Sequence, residues 1–248
     1  MRVMYVLWLR QMKRFFRAKS RIFGAIGQPL LFLIALGYGI GSIYSKAGEG
    51  SYLQFLVPGI MAQTVLFSAM FYGAMIIFDR QFGFLKETLV APVSRLKIML
   101  GGAFGGATTA VLQGIIVLVI SLLMGFRPAH WALVPVALGI LSLLSIAIAC
   151  FSSAIGTIVQ DMQGFQAINQ LVVFPLYFLS GALYPLNHVP TWLHVVAECN
   201  PMSYAVDAMR GTLIGQTHFG FTKDIIVLLA VVIAMISFGA YRFKHIEA

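Results

Sequence analysis

Charge is what this sequence has least of. Its 248 residues include 8 Asp and Glu against 17 Lys and Arg, so 10% of the chain is charged while 60% is hydrophobic. A soluble domain carries about a quarter charged residues and about half apolar ones, which excludes that class. The net charge of +9 would ordinarily suggest nucleic acid as a partner. Here the cations cluster at the ends of apolar segments, where they read as membrane topology instead. Cysteine is nearly absent too: Cys150, inside an apolar run, and Cys199, in a polar stretch, supply neither a disulfide framework nor metal-ligand spacing. No G-x-x-x-x-G-K-S/T string and no Gly-Lys pair occurs, so the chain has no phosphate-cradling loop of that type and is expected to hydrolyse no ATP itself. His188, His194 and His218 share one stretch with Glu198, but no further ligand or nucleophile is spaced to join them. Neither a metal site nor a catalytic site is expected.

What is present is a series of charge-free apolar runs: Ile22–Tyr44, Leu53–Phe78, Ile98–Met124, Trp131–Val159, Ala167–Leu183 and Ile225–Tyr241. Each is about long enough to cross the hydrocarbon of a bilayer. Each must be helical, because isolated strands would leave backbone groups unpaired in lipid and these runs lack the alternation of barrel strands. The expectation is an all-α integral membrane protein with six transmembrane helices. None of the runs contains Asp, Glu, Lys, Arg or His, the groups that proton-coupled transporters carry near the midplane.

Orientation follows from the cations. With a cytoplasmic N-terminus, the inner side holds seven before the first span (Arg2, Arg10, Lys13, Arg14, Arg17, Lys19 and Arg21), four between the second and third (Arg80, Lys86, Arg95 and Lys97), and Arg242 and Lys244 at the end. Lys46, Arg127, Arg210 and Lys223 remain outside, a split of 13 to 4 that places both termini in the cytoplasm. A signal peptide is not expected, since the first run begins late, is too long and is followed by no small-residue cleavage site.

Three pieces do not span. Residues 1–21 read either as an amphipathic helix on the membrane surface, with Met4, Trp8, Met12, Phe15 and Phe16 on one side and Arg10, Arg14, Arg17 and Arg21 facing anionic lipid on the other, or as a basic flank that only fixes topology. The loop Asp79–Lys97 holds a short helix ended by Pro92, with Phe84, Leu85, Leu89 and Val90 as an apolar ridge beside Lys86 and Glu87. Such a helix either packs on its own span ends or is gripped by a partner. The segment Tyr184–Lys223 is broken by Pro185 and Pro190 and carries Trp192, Val195, Val196 and Cys199 on one helical face. A second short helix follows, capped by Asn200 with Pro201 in its first turn, and Asp207 is spaced to pair with Arg210. The pair either tucks back into the outer leaflet or forms two interfacial caps.

Neutral polar side chains mark the spans. Gln63, Thr64 and Ser68 lie in the second; Gln163, Gln166 and Gln170 share a face of the fifth, with Asn169 adjacent. They either glue helices together or line a water-accessible cavity. Gly101, Gly102, Gly105 and Gly106 make two overlapping G-x-x-x-G pairs, expected to admit close helix contacts within one protomer, and Pro175 is expected to kink the fifth span.

Three strings, DRQFGFLKETLVAPVSR (Asp79–Arg95), FQAINQLVVFPLYFLSGALYPL (Phe165–Leu186) and PTWLHVVAECNPMSYAVDAMRG (Pro190–Gly211), together resemble the ABC-2 type permeases, the membrane subunits of bacterial ABC exporters. The wording is nearest to the drug-resistance and nodulation-factor export branches; polysaccharide exporters share the same motifs. The resemblance implies that Phe84, Leu85, Lys86, Glu87 and Leu89 form a coupling helix in a cleft of the ATPase subunit. It implies that 1–21 is a connecting helix preceding the transmembrane domain 22–248, and that 184–223, with Pro190, Trp192, Asn200, Pro201, Asp207 and Arg210, is an external re-entrant pair. Two permeases, as a homodimer in the lipid of a bacterial inner membrane, would work with two copies of an ABC ATPase that binds ATP and Mg, this chain binding no cofactor. The substrate expected is amphipathic or hydrophobic, a drug, a lipid-linked molecule or a saccharide, with Gln63, Thr64, Gln166, Asn169 and Gln170 along its path. Other classes stay open: a membrane-embedded lipid-binding enzyme or channel, which would need ionisable groups at membrane depth, or a scaffold subunit without transport.

Overall fold

A computed structural model of the chain describes residues 2–39, 41, 51–90 and 92–246. Lys46 and the end of the first expected span, at 40 and 42–44, lie outside them. The described residues form ten α-helices and no strand: α1 (Arg2–Arg17), α2 (Lys19–Gly39), α3 (Tyr52–Gln81), α4 (Phe84–Val90), α5 (Arg95–Leu123), α6 (Val134–Ile158), α7 (Met162–Phe178), α8 (Thr191–Cys199), α9 (Pro201–Leu213) and α10 (Phe221–Lys244). The molecule is an all-α membrane protein. Four stretches, Tyr52–Gln81, Arg95–Leu123, Trp131–Ile158 and Phe221–Lys244, are long and apolar enough to cross a bilayer alone. The other two expected spans fall on α2, described as far as Gly39, and on α7. In α2 the described apolar stretch is Ile26–Gly39, and α7 has 17 residues, about 26 Å at the helical rise.

The core sits around α3, which is buried on nearly every side by α2, α5, α6 and α7. Leu56, Ile60, Met61, Leu66, Met70 and Ile77 are among its enclosed side chains. The opposite case is α10, whose Ile226, Leu229, Ile233 and Phe238 turn outward, as a lipid-facing helix requires.

The glycines of α5 act as expected, but toward two different neighbours. A Cβ on Gly101 would stand 3.0 Å from the Met4 Cα, and one on Gly105 would stand 2.7 Å from the Gln11 Cβ, so this pair is the groove in which α1 lies. Gly102 and Gly106 face the ring of Tyr72 on α3. Small residues on adjacent faces thus let one helix be approached closely from two sides. Seated in its groove, α1 buries Leu7, Gln11, Met12 and Phe15, while Trp8 donates from Nε1 to Thr108 Oγ1 at 3.0 Å. Phe16, expected on the apolar side, is exposed.

Hydroxyls join the remaining helices. Ser145 donates to the Ala107 carbonyl at 2.9 Å, Ser152 to that of Met70, and Ser68 to Gln113 Oε1. At the end holding the chain termini, arginines collect the last carbonyls of neighbouring helices. Arg80 donates to Thr157 and Val159, both at 3.0 Å, and Arg95 to Lys244 at 2.7 Å and Ile246 at 2.9 Å. Helix C-termini leave such carbonyls unpaired, so these contacts fasten α6 and α10 to the ends of α3 and α5. They also place α1, the 79–97 loop and the C-terminal end of α10 on one side of the bundle, with the 184–223 segment on the other.

Candidate functional site

Two regions are built for contact or passage, and the first is the loop before and through α4. The chain turns between α3 and α4 at Gly83, whose φ of +79° lies in the left-handed region that a side chain disfavours. The helix that follows has two unlike faces. Leu85 is 5% exposed and belongs to the main core, with Leu89 packed against it, whereas Phe84 is 49% exposed and Phe82 and Val90 stand further out. The single ridge expected from spacing is therefore divided. Leu85 and Leu89 serve the chain's own fold, and Phe82, Phe84, Lys86, Glu87 and Val90 form the outward surface.

Beneath this helix Asp79 is buried against α1. Arg10 Nη2 reaches its Oδ2 at 2.6 Å and Arg14 its Oδ1 at 3.1 Å. Arg10 and Arg14, expected to face lipid, thus close on a carboxylate of α3 instead. A carboxylate held between two guanidiniums is the arrangement in which charged groups tolerate partial burial.

The second region is a recess of about 320 Å³ between α2, α3 and α5, lined by Gln28, Gln63, Thr64, Phe67, Ser68 and Gln113 among others. The Gln63 amide oxygen is buried there without a donor, and Thr64 returns its hydroxyl to the Ile60 carbonyl at 2.8 Å. Gln166, Asn169 and Gln170 are not among its lining residues. Gln166 and Gln170 lie on the exposed face of α7, continuous with Leu171 and Phe174, while the Asn169 amide oxygen is buried and unpaired. Phe67, at the recess, meets Phe174 edge-on at 5.8 Å. Spacing alone missed Gln28 and Gln113; each is a lone amide in an apolar helix, a visible departure from the surrounding hydropathy.

At the opposite end, Asn200 accepts from Met202 N at 2.9 Å, capping α9 as expected, and its amide donates to the Leu176 carbonyl at 2.8 Å, closing the end of α7. Helix α9 is enclosed by α3, α6 and α10, with Met202, Ala205, Val206, Met209 and Leu213 in the core. Helix α8, after Pro190, turns Trp192, Val195 and Val196 away from the bundle and Ala197 inward. The Asp207–Arg210 pair expected from i,i+3 spacing gives way to separate partners. Arg210 donates to Gly181 O at 2.9 Å and Ala182 O at 3.0 Å and stacks 3.7 Å over Phe55, while Asp207 accepts from the backbone N–H groups of 218 and 219. Both are nearly enclosed, so the directed backbone groups around each prevail over a helix-surface ion pair. Among the described residues no three His, Cys, Asp or Glu come together as metal ligands.

The sequence model of the ABC-2 type transporter family matches residues 2–214. The chain belongs to that family. The permease is 30% identical over 247 residues to the putative transport permease ycf38 of Porphyra purpurea, covering 93% of this chain and 83% of that one. It is 26% identical over 201 residues to nodulation protein J of Rhizobium leguminosarum bv. viciae (80% and 77%). Against the daunorubicin resistance ABC transporter permease protein DrrB1 of Streptomyces coeruleorubidus it is 25% identical over 243 residues (96% and 85%). The permease is accordingly a multi-pass transport subunit.

Proposed function

We propose that the permease is the membrane half of an ATP-driven exporter, moving an amphipathic or hydrophobic molecule outward with energy delivered by a separate ABC ATPase. The observation that carries this reading is the outward face of α4. Phe82, Phe84 and Val90 expose apolar surface at the end where arginines bind the helices together, in a chain whose sequence has no ATP-cradling loop. A large apolar side chain left in water there is what a partner's cleft would bury. Two ATPase copies, holding ATP and Mg, would then press on two permease copies, with both termini in the cytoplasm of a bacterial cell.

The exposed face of α7, with Gln166, Gln170, Leu171 and Phe174, supports a role as the surface shared by two copies. Asn169, with its unpaired amide oxygen, lies beside that face. In this reading Gln63 and Thr64 border the path that substrate takes. The daunorubicin and doxorubicin resistance names of two relatives support a drug-like cargo. The test is co-expression with a candidate ABC ATPase, affinity capture of one subunit, and ATP-dependent uptake of drug or lipid-linked substrate into inverted vesicles. Capture together with uptake is the expected result. A permease purified without any ATPase, and vesicles that take up substrate without ATP, would remove the reading.

A further inference from the structure

Asp224 is a carboxyl group without a hydrogen-bond donor. It stands in the first turn of α10, 0% exposed, and neither of its oxygens has a partner. A charge placed there would lose its hydration with nothing to replace it. The carboxylate that acts on it most directly is Asp207, on the helix α9 packed against α10. Asp207 has already committed both oxygens: His218 N donates to Oδ1 at 2.8 Å and to Oδ2 at 2.9 Å, and Phe219 N donates to Oδ2 at 2.8 Å. Two like charges cannot face each other in such a site, so one proton must lie between the pair. The backbone donors take up Asp207, which leaves Asp224 as the group that carries it.

We propose that Asp224 and Asp207 form a proton-binding site, and that the bound proton holds the turn 214–220 against α9. An ionisable group at the edge of a membrane span is costly to keep, and a working role is the usual reason for one. A route for the proton is present. Asp207 lines a recess of about 690 Å³ with Ser203, Arg210, Gln216, Thr217 and His218, the last three exposed. Ser203 Oγ is enclosed one turn before Asp207 and has no partner of its own, a second polar group awaiting a donor or acceptor at this site. Asp207 lines this recess and Asp224 does not, so the proton passes between water and Asp224 by way of the Asp207 carboxylate.

The other ionisable groups nearby are accounted for. Lys223 turns its ammonium over the rings of Tyr204 and Phe219, at 5.7 and 5.4 Å. Burial, with the negative potential of Glu198 added, raises the Tyr204 hydroxyl above its ordinary range, and it donates to the Glu198 carbonyl at 2.7 Å. His218 lies against His194, Nε2 to Nε2 at 3.1 Å, with Glu198 3.9 Å from the other ring nitrogen of His194. Arg210 is directed at Gly181 and Ala182, Arg127 at the Leu122 and Phe126 carbonyls, and Tyr52 of α3 donates to the Leu183 carbonyl at 2.8 Å, while His130 is exposed and the facing end of α6 contributes no ionisable side chain.

The sign follows from the pair. Proton uptake by Asp224 relieves the repulsion and closes the turn, so the closed form is favoured on the acid side and weakens as pH rises and Asp224 ionises. Infrared difference spectroscopy of the wild-type permease in lipid nanodiscs, from mildly acidic to mildly alkaline buffer, should show the C=O band of a protonated carboxyl that shifts in D₂O and fades with base. The band should be missing in Asp224→Asn. A Gln216→Cys probe in a background of Cys150→Ala and Cys199→Ser should label several-fold faster on the alkaline side. That gain, after correction for the thiol's own titration, should vanish when Asp224→Asn is added. Absence of the band in the wild type, or its removal by sodium or calcium at constant pH, would overturn the proton site, the second result in favour of a cation site.

Discussion

Arg10 of α1 closes on Asp79 of α3, Nη2 to Oδ2 at 2.6 Å, across 69 positions of sequence and five residues before the first residue of α4. Arg14 binds the other oxygen, so one carboxylate fastens α1 to the helix end from which α4 hangs. Replacing Asp79 by Ala should destabilise the permease by about 2 kcal/mol, the range for hydrogen bonds to charged groups, because two guanidiniums lose their partner at once. Arg10→Ala or Arg14→Ala alone should cost less, since each leaves Asp79 one cation. Thermal unfolding of the three variants in detergent measures the order. Equal stability of Asp79→Ala and wild type would show the clamp to be incidental.

The crossing of α3 and α6 permits a sharper test of packing. A Cβ on Gly73 would overlap the Ser152 carbonyl and hydroxyl and the Phe165 ring, and Gly156 of α6 approaches the Gly73 carbonyl from the other side. Backbone cannot yield as a flexible side chain can, so Gly73→Ala should cost about 1–3 kcal/mol or prevent insertion altogether. Gly139→Ala, where nothing lies within 4 Å, should be neutral or slightly stabilising. The comparison is the folded fraction recovered from membranes for the two variants; similar recovery would refute the close crossing.

Arg210 offers a third measurement, on geometry rather than charge. Its guanidinium forks between the adjacent Gly181 and Ala182 carbonyls, both reached by Nη2, and the Phe55 carbonyl, reached by Nε at 3.4 Å, with Cζ 3.7 Å over the Phe55 ring. Lysine keeps the charge but not the fork or the stacking plane. Arg210→Lys should therefore lose at least about 1 kcal/mol of stability and expose the 179–185 segment to proteolysis, with Phe55→Leu following in the same direction. Protection of that segment in Arg210→Lys equal to wild type would show that charge alone suffices.

Much of this architecture was legible because the relevant signals are local. The spacing of Gly101, Gly102, Gly105 and Gly106 shows that α5 can be approached closely, and Asn200 before Pro201 marks a helix start. What periodicity cannot supply is the identity of the neighbour. Arg10 and Arg14 look lipid-facing because Asp79 is remote in sequence. The i,i+3 spacing of Asp207 and Arg210 suggests a pair only until backbone donors and acceptors from distant loops are brought to each. In α4, Phe84 and Leu85 are adjacent apolar residues, and two turns of helix are too few for spacing to tell which faces inward. Gln63 and Gln166 illustrate the same limit: both read as polar faces of spans, yet one is enclosed beside α2 and α5 and the other lies on the surface of α7.

The division of α4 determines the last prediction. Leu85 lies in the chain's own core, so Leu85→Ala should destabilise the permease itself, by about 2–5 kcal/mol as for other buried leucines. Phe84 and Phe82 face outward, and removing them leaves the fold intact. If these rings enter an ATPase cleft, each contributes roughly 1.5–3 kcal/mol to that contact, so Phe82→Ala/Phe84→Ala should weaken capture of the ATPase by two or more orders of magnitude, at about 1.4 kcal/mol per tenfold. Glu87→Ala should affect capture less, because an exposed charge pair is commonly worth under about 1 kcal/mol, and should act instead on transport per ATP hydrolysed. The assays are thermal unfolding of the permease alone, pull-down of the ATPase and vesicle transport, on the same three variants. The expected pattern is an unstable Leu85→Ala, a stable Phe82→Ala/Phe84→Ala without partner, and a stable, assembled Glu87→Ala with poor coupling. A double phenylalanine variant that binds and transports as wild type would show that α4 does not meet the ATPase, and its outward face would then need another occupant.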